Sequence, residues 1–153
     1  MRIERDKAIH NISYRKLDKS DRAGIEKLAT ELHNFHAMLE PERFTRIERY
    51  TIEGDYDISY GAFENESLIG IALGTYDADF RTCKVAQLGD LYVSEKYRGQ
   101  GIGKQLLSLF KEEALRQGAG RLKLCVMAIN TNALNIYKSQ GFKITTYCME
   151  QEI

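Results

Sequence analysis

Two short stretches concentrate the residue types that can hold an anion and move a proton. The first is Leu91-Tyr92-Val93-Ser94-Glu95-Lys96-Tyr97-Arg98-Gly99-Gln100-Gly101-Ile102-Gly103-Lys104. A β-favouring run passes into a glycine-punctuated turn, and an amphipathic helical pattern starts inside that turn. Glycine admits positive φ and lets a ligand approach without a Cβ in the way. The unpaired N–H groups of a first helical turn, with the positive end of the helix dipole, form an anion site suited to a diphosphate. The spacing Gly99-x-Gly101-x-Gly103 is neither the G-x-G-x-x-G of a dinucleotide fold nor a P-loop, which needs Gly-Lys-Ser/Thr.

The second stretch is Asn130-Thr131-Asn132-Ala133-Leu134-Asn135-Ile136-Tyr137-Lys138-Ser139-Gln140-Gly141-Phe142. Asn130 falls where a strand ends, and Tyr137 falls on the short helix that follows. Asp90, immediately before the first stretch, is a carboxylate able to accept a proton, and Gln87 is able only to hold a water. Two strand-to-helix junctions in succession, parallel in direction, bring both turns to one edge of a sheet. Ligands of open α/β arrangements bind there, outside the carboxyl ends of the strands.

The elements that must position these residues follow from periodicity. Asn11 to Leu17 alternates as a strand and ends at Asp18-Lys19-Ser20-Asp21, a helix N-cap signal. Ile25, Leu28, Ala29, Leu32, Phe35 and Leu39 recur at helical spacing, so Asp21 to Leu39 is predicted as an amphipathic helix. Pro41 stops it, and a second, shorter helix is expected near Glu42 to Thr51. Ile58 to Ala62 and Leu68 to Tyr76 read as strands joined by the turn Glu64-Asn65-Glu66-Ser67, and Val85 to Val93 as a third. Gly101 to Gln117 is a helix ended by Gly118 and Gly120. Leu122 to Met127 reads as a buried strand, Asn132 to Ser139 as a helix, and Phe142 to the C-terminus as a last strand. The expected order is β-α-α-β-β-β-α-β-α-β, an α+β or mixed α/β fold with helices on both faces of one sheet.

Composition narrows the function classes. At 153 residues the chain fits one domain, taken here as 1–153, and 43% apolar with 29% charged residues is ordinary for a globular protein. Lys plus Arg and Asp plus Glu are 22 each, so the basic excess of a nucleic-acid or membrane-surface protein is missing. Met1 to His10 is charged, with no apolar core of a leader, and no run reaches the roughly 20 apolar residues of a membrane span. A cytoplasmic protein is expected. Cys83, Cys125 and Cys148 lack metal-type or redox-type spacing, and Cys125 is expected as a buried thiol. His33 and His36 share roughly one helix face but have no third ligand in sight, so they read as surface or pocket residues and no metal is expected.

With both motifs in view, the chain resembles the GNAT superfamily of N-acetyltransferases over essentially its whole length. Arg98-x-x-Gly101-x-Gly103 is similar to the family's R/Q-x-x-G-x-G/A signature, and Asn130 through Phe142 to its asparagine, short helix, tyrosine and Gly-Phe arrangement. The resemblance implies a mostly antiparallel, splayed central sheet. It implies acetyl-coenzyme A as co-substrate and a small-molecule or peptide amine as acceptor. It implies that the backbone of Leu91, Tyr92 and Val93 pairs with the pantetheine arm. Arg98, Gly99, Gln100, Gly101, Ile102, Gly103 and Lys104 would bind the pyrophosphate, largely through main-chain N–H groups. Asn130 would contact or position the pantetheine, Asn135 would be a lesser coenzyme contact, and Tyr137 the general acid. Asp90 is the first candidate for the base. A homodimer is expected on the resemblance alone.

Some readings stay open at this stage. The Asp90 to Val93 entry and the Asn130 to Tyr137 spacing resemble spermidine/spermine acetyltransferases, but these stretches serve the coenzyme and say little of the acceptor. The first helices and their connection often form the acceptor pocket in this superfamily. Glu31, Glu40, Glu42 and Asp55 are available there for a cation, and Tyr50, Tyr56, Tyr60 and Tyr76 as lining or core. The other function class is a non-catalytic coenzyme A-binding regulatory module, which would not need the phenol of Tyr137.

Overall fold

The computed structural model describes residues 11–78 and 83–153, so the charged Met1–His10 segment lies outside the described residues. Strand β1 (Ile12–Lys16) leads through a 3-10 turn, Lys19–Asp21, into helix α1 (Arg22–Leu39). Asp18 starts this turn: its carboxylate accepts from the Ser20 amide, while the Asp18 amide donates to the Asp21 carboxylate. Strands β2 (Ile58–Glu64), β3 (Ser67–Ala78) and β4 (Lys84–Val93) follow, then helix α2 (Ile102–Arg116), strand β5 (Ala119–Leu124) and helix α3 (Thr131–Ser139). The β2–β3 hairpin turns at Asn65, which takes a positive φ of 54°, a conformation asparagine tolerates.

The sheet order is β1-β2-β3-β4-β5, antiparallel except for the β4–β5 pair. Its faces are covered by different helices. Ile25 and Leu28 of α1 pack with Ile71, Leu73 and Tyr92. On the other face Ile102, Leu106, Leu107, Phe110 and Ala114 of α2 meet Ile58, Ala62, Ala72, Ala86 and Leu88. Phe110 is admitted so close to the strands because residue 74 is glycine. A Cβ there would lie 2.6 Å from Phe110 Cζ and 2.1 Å from the Gln87 carbonyl oxygen.

Two expected elements are absent. Residues 44–57 form no helix; their backbone groups are taken by side chains of α1 instead of by one another. Asn34 Nδ2 donates to Ile47 O and Asn34 Oδ1 accepts from Ile47 N, both at 3.0 Å, and Thr30 Oγ1 accepts from Tyr50 N at 2.9 Å. Buried Glu26 accepts from the Ile52 amide and pairs with Arg49 at 2.7 Å, while Arg22 donates to Ile52 O. The segment is strapped along α1 without regular structure of its own. The expected final strand is also missing: Ile144, Tyr147, Met149 and Ile153 are exposed, and no ladder joins them to β5. Consequently β5 is a half-buried edge strand. The realised order is β-α-β-β-β-α-β-α. Among the described residues no helix is long and apolar enough to cross a membrane.

Candidate active site

The site begins where sheet pairing ends. The β4–β5 ladder runs from Lys84↔Ala119 to Leu88↔Leu124 and stops. Past this point β4 continues against β3, with Leu91, Tyr92 and Val93 opposite Ala72, Ile71 and Gly70. Among the described residues the other edge of β4 has no strand beside it, and the sheet splays. Leu73 pairs with Asp90 but Gly74 with Leu88, so Gly89 is an extra residue that bulges β4 at the mouth of the wedge. A cavity of about 550 Å³ fills the wedge, within the range of small-ligand sites. One wall is Gly89 and Leu91 to Val93; the other is Cys125, Val126 and Met127. Cys125, expected to be buried, is exposed, because it is the first residue beyond the last β5 pair.

The glycine turn closes one end of the cavity. Gly99 and Gly101 have φ of +75° and +81°, and an added Cβ would meet nothing within 4 Å at either. Glycine is therefore required here by backbone conformation and not by crowding. Gln105 N bonds Gly101 O at 3.0 Å as the first internal link of α2. The amides of Ile102, Gly103 and Lys104 thus have no carbonyl partner among the described residues, and no side chain caps the helix. Arg98 braces the turn: its Nε donates to Val93 O at 3.0 Å. Its guanidinium lies 5.2 Å from the Tyr92 ring and 5.3 Å from the Phe35 ring.

Asn130 caps α3, its Oδ1 accepting from the Ala133 amide at 3.2 Å. Tyr137, about two turns on, is half-buried in the cavity wall, with its ring T-shaped on Phe142 at 5.6 Å. Burial pushes its phenol above the ordinary 10. Leu32, Phe35 and His36 of α1 also line the cavity.

Leu91, Tyr92, Val93, Arg98, Gly99, Gly101, Ile102, Gly103, Lys104, Asn130 and Tyr137 therefore converge on one cavity. Gln100 and Asn135 are exposed and outside its lining. Asp90 is also outside it. As the registered partner of Leu73, Asp90 sits on the α1 side of the sheet, where burial raises its carboxyl and its charge raises the nearby Tyr56. The second wall, Cys125 to Met127, was not identified from sequence, although it simply continues the strand before Asn130. Among the described residues no three His, Cys, Asp or Glu side chains gather as metal ligands.

Comparison with known proteins bears on this geometry. Residues 20–142 match the model of the Acetyltransferase (GNAT) family. The thialysine N-epsilon-acetyltransferase of Bos taurus is 37% identical over 73 residues, 46% of this chain and 43% of that protein. The L-ornithine N5-acetyltransferase of Arabidopsis thaliana is 36% identical over 55 residues, 36% of this chain and 24% of that protein. The matches span about half the length of the thialysine acetyltransferases, 43 to 51%. A crystal structure of an aminoglycoside N-acetyltransferase in complex with CoA superposes with a TM-score of 0.72 at 18% identity, covering 93% of this chain and 94% of that one. A Bacillus halodurans protein reaches 0.79 at 20% identity, covering 92% and 99%. A splayed mixed sheet and a glycine turn with open amides, within a match to the family model that takes in both, establish that the chain belongs to the GNAT family of acetyltransferases.

Proposed function

We propose that the protein is an acetyl-coenzyme A dependent N-acetyltransferase that acetylates the primary amine of a small molecule or peptide by direct attack. One observation carries this reading: a single cavity joins an unpaired strand edge, free helix-start amides and a half-buried phenol. The amides of Ile102 to Lys104 suit the pyrophosphate. Between Leu91–Val93 and Cys125–Met127 there is room for a pantetheine arm laid along β4 like an added strand. Family membership and the named activities of the relatives on amines support the same reading.

Tyr137 is the general acid of this scheme. The departing thiolate resembles that of cysteine, with a pKa near 8.5, against about 10 for a phenol. In water the transfer would be uphill by about 1.5 units, or roughly 2 kcal/mol. Burial raises both the thiol and the phenol, and a hydrogen bond to the developing thiolate stabilises it even before transfer is complete. Incubation with acetyl-coenzyme A labelled in its acetyl group, followed by mass spectrometry of an amine panel, tests the function. Label on an acceptor nitrogen supports it. Tight coenzyme binding without label on any amine would favour a non-catalytic coenzyme-binding module.

A further inference from the structure

His33 and His36 lie three residues apart on α1, yet their rings are held differently. The Nε2 of His33 is 2.9 Å from Thr45 O, tied to the strap that follows the helix. Neither ring nitrogen of His36 has a hydrogen-bond partner among the described residues. Its ring is flanked by Phe35 at 6.1 Å and Phe44 at 6.0 Å, and it lines the cavity that holds Tyr137 and the Leu91–Val93 edge. A half-buried imidazole between two aromatic rings, with both nitrogens unclaimed, is placed to exchange a proton with whatever enters.

We propose that His36 is the general base that takes the proton from the attacking amine. This rests on the acetyltransferase reading above. The nitrogen lone pair forms the C–N bond to the acetyl carbonyl carbon while an N–H proton passes to His36. The C–S bond breaks with its electron pair on the coenzyme sulfur, which takes the phenolic proton of Tyr137. Solvent then removes the proton from His36 and returns one to Tyr137, so the cycle balances.

The charged surroundings fit a neutral imidazole. Burial is the main influence lowering His36 below its ordinary value, and His33 adds to it, while Glu40 on the same helix opposes. Arg43 stands beside Phe44, with its guanidinium 5.4 Å from that ring, and Arg98 stands beyond Phe35. From β4, Tyr92 lines the same cavity, while Asp90 lies on the α1 side of the sheet outside that lining. His36 is thus free to accept a proton at neutral pH, and Asp90, outside the cavity lining, is not needed for that step.

The test is the pH dependence of kcat at saturating acetyl-coenzyme A and acceptor, for the unmodified protein, His36→Gln and Asp90→Asn, with coenzyme binding measured by calorimetry. The unmodified protein should show kcat rising with pH through a limb below about 6.5. His36→Gln should lose that limb and about 10²- to 10⁴-fold in kcat, with coenzyme affinity within about twofold. His36→Ala with added imidazole supplies a second readout, since external base should restore turnover. Persistence of the limb in His36→Gln, its loss in Asp90→Asn alone, or failure of imidazole to restore any rate would overturn the assignment. No turnover of any amine by the unmodified protein would overturn both this assignment and the reading beneath it.

Discussion

Leu88 on β4 and Leu124 on β5 form the last registered pair of the parallel ladder, and the cavity starts where that pair ends. The same break leaves one edge of β4 open, exposes Cys125 and aims the chain toward Asn130. The candidate site thus arises from the place where two strands cease to bond. In an open α/β sheet this is the carboxyl end, where ligands are expected.

Tyr137→Phe removes the hydroxyl proposed as proton donor but keeps the ring contact with Phe142. Turnover should fall by about 10²-fold or more, with coenzyme affinity changed by no more than about twofold. Burial raises the phenol above its ordinary value of 10, so its protonated form predominates at neutral and mildly alkaline pH. The unmodified protein should therefore show little loss of kcat from Tyr137 between about pH 7 and 9, as initial rates across that range would reveal.

Gly101→Ala places a side chain at a φ of +81° in open space, so its cost is backbone strain without a clash. The unfolding free energy should drop by about 1 to 2 kcal/mol. If the turn relaxes to escape the strain, the amides turn away and coenzyme affinity falls by about tenfold, equivalent to about 1.4 kcal/mol. Gly103→Ala is the contrast for stability. Its nearest neighbour would be Val93 Cγ2 at 3.7 Å, and it lies inside α2, so the fold should be as stable or more so. Urea melts and calorimetric titration check both.

Gly74→Ala should be among the most damaging changes remote from the cavity. The new methyl would lie 2.1 Å from Gln87 O and 2.6 Å from Phe110 Cζ, so both β4 and the central ring of α2 must shift. A loss of about 2 to 3 kcal/mol is expected, read as a lowered thermal midpoint.

Glu113 is buried beneath Arg116, at 2.6 Å, and Lys16, at 2.9 Å, a junction between α2 and β1. Hydrogen bonds from Arg116, then from Lys16, hold its carboxyl down from 4.5 to about 2 despite burial. A depressed carboxyl contributes stability above its unfolded value and loses it as pH falls. Glu113→Gln should therefore be less stable at neutral pH, by about 1 to 3 kcal/mol. The gap should narrow as pH drops from 4.5 towards 2. Denaturant melts of both proteins through that range would show it.

The sequence was most readable where a local pattern determines local structure. Arg98 to Lys104 and Asn130 to Tyr137 each combine a strand end, a turn and a helix start, and the structure brings most of their residues into one cavity. What failed depends on distant partners. Phe44, Ile47 and Tyr50 are compatible with helical spacing, but Asn34, Thr30 and Glu26 of α1 claim the backbone of that segment. Past Phe142, alternation suggested a strand, yet Phe142 packs on Tyr137 and the apolar residues after it find no face to bury. His36 was visible as a residue on the face of α1. Its unclaimed nitrogens were not, because which histidine the segment after α1 engages is a tertiary contact, here His33 with Thr45 O.

The most direct test of the central claim is release of free thiol from acetyl-coenzyme A by the purified protein across polyamines, amino acids, aminoglycosides and short peptides. Amine-dependent release is expected with at least one acceptor class, together with its near abolition in Tyr137→Phe at unchanged coenzyme affinity. Release that never depends on an amine, or that survives intact in Tyr137→Phe, would contradict it.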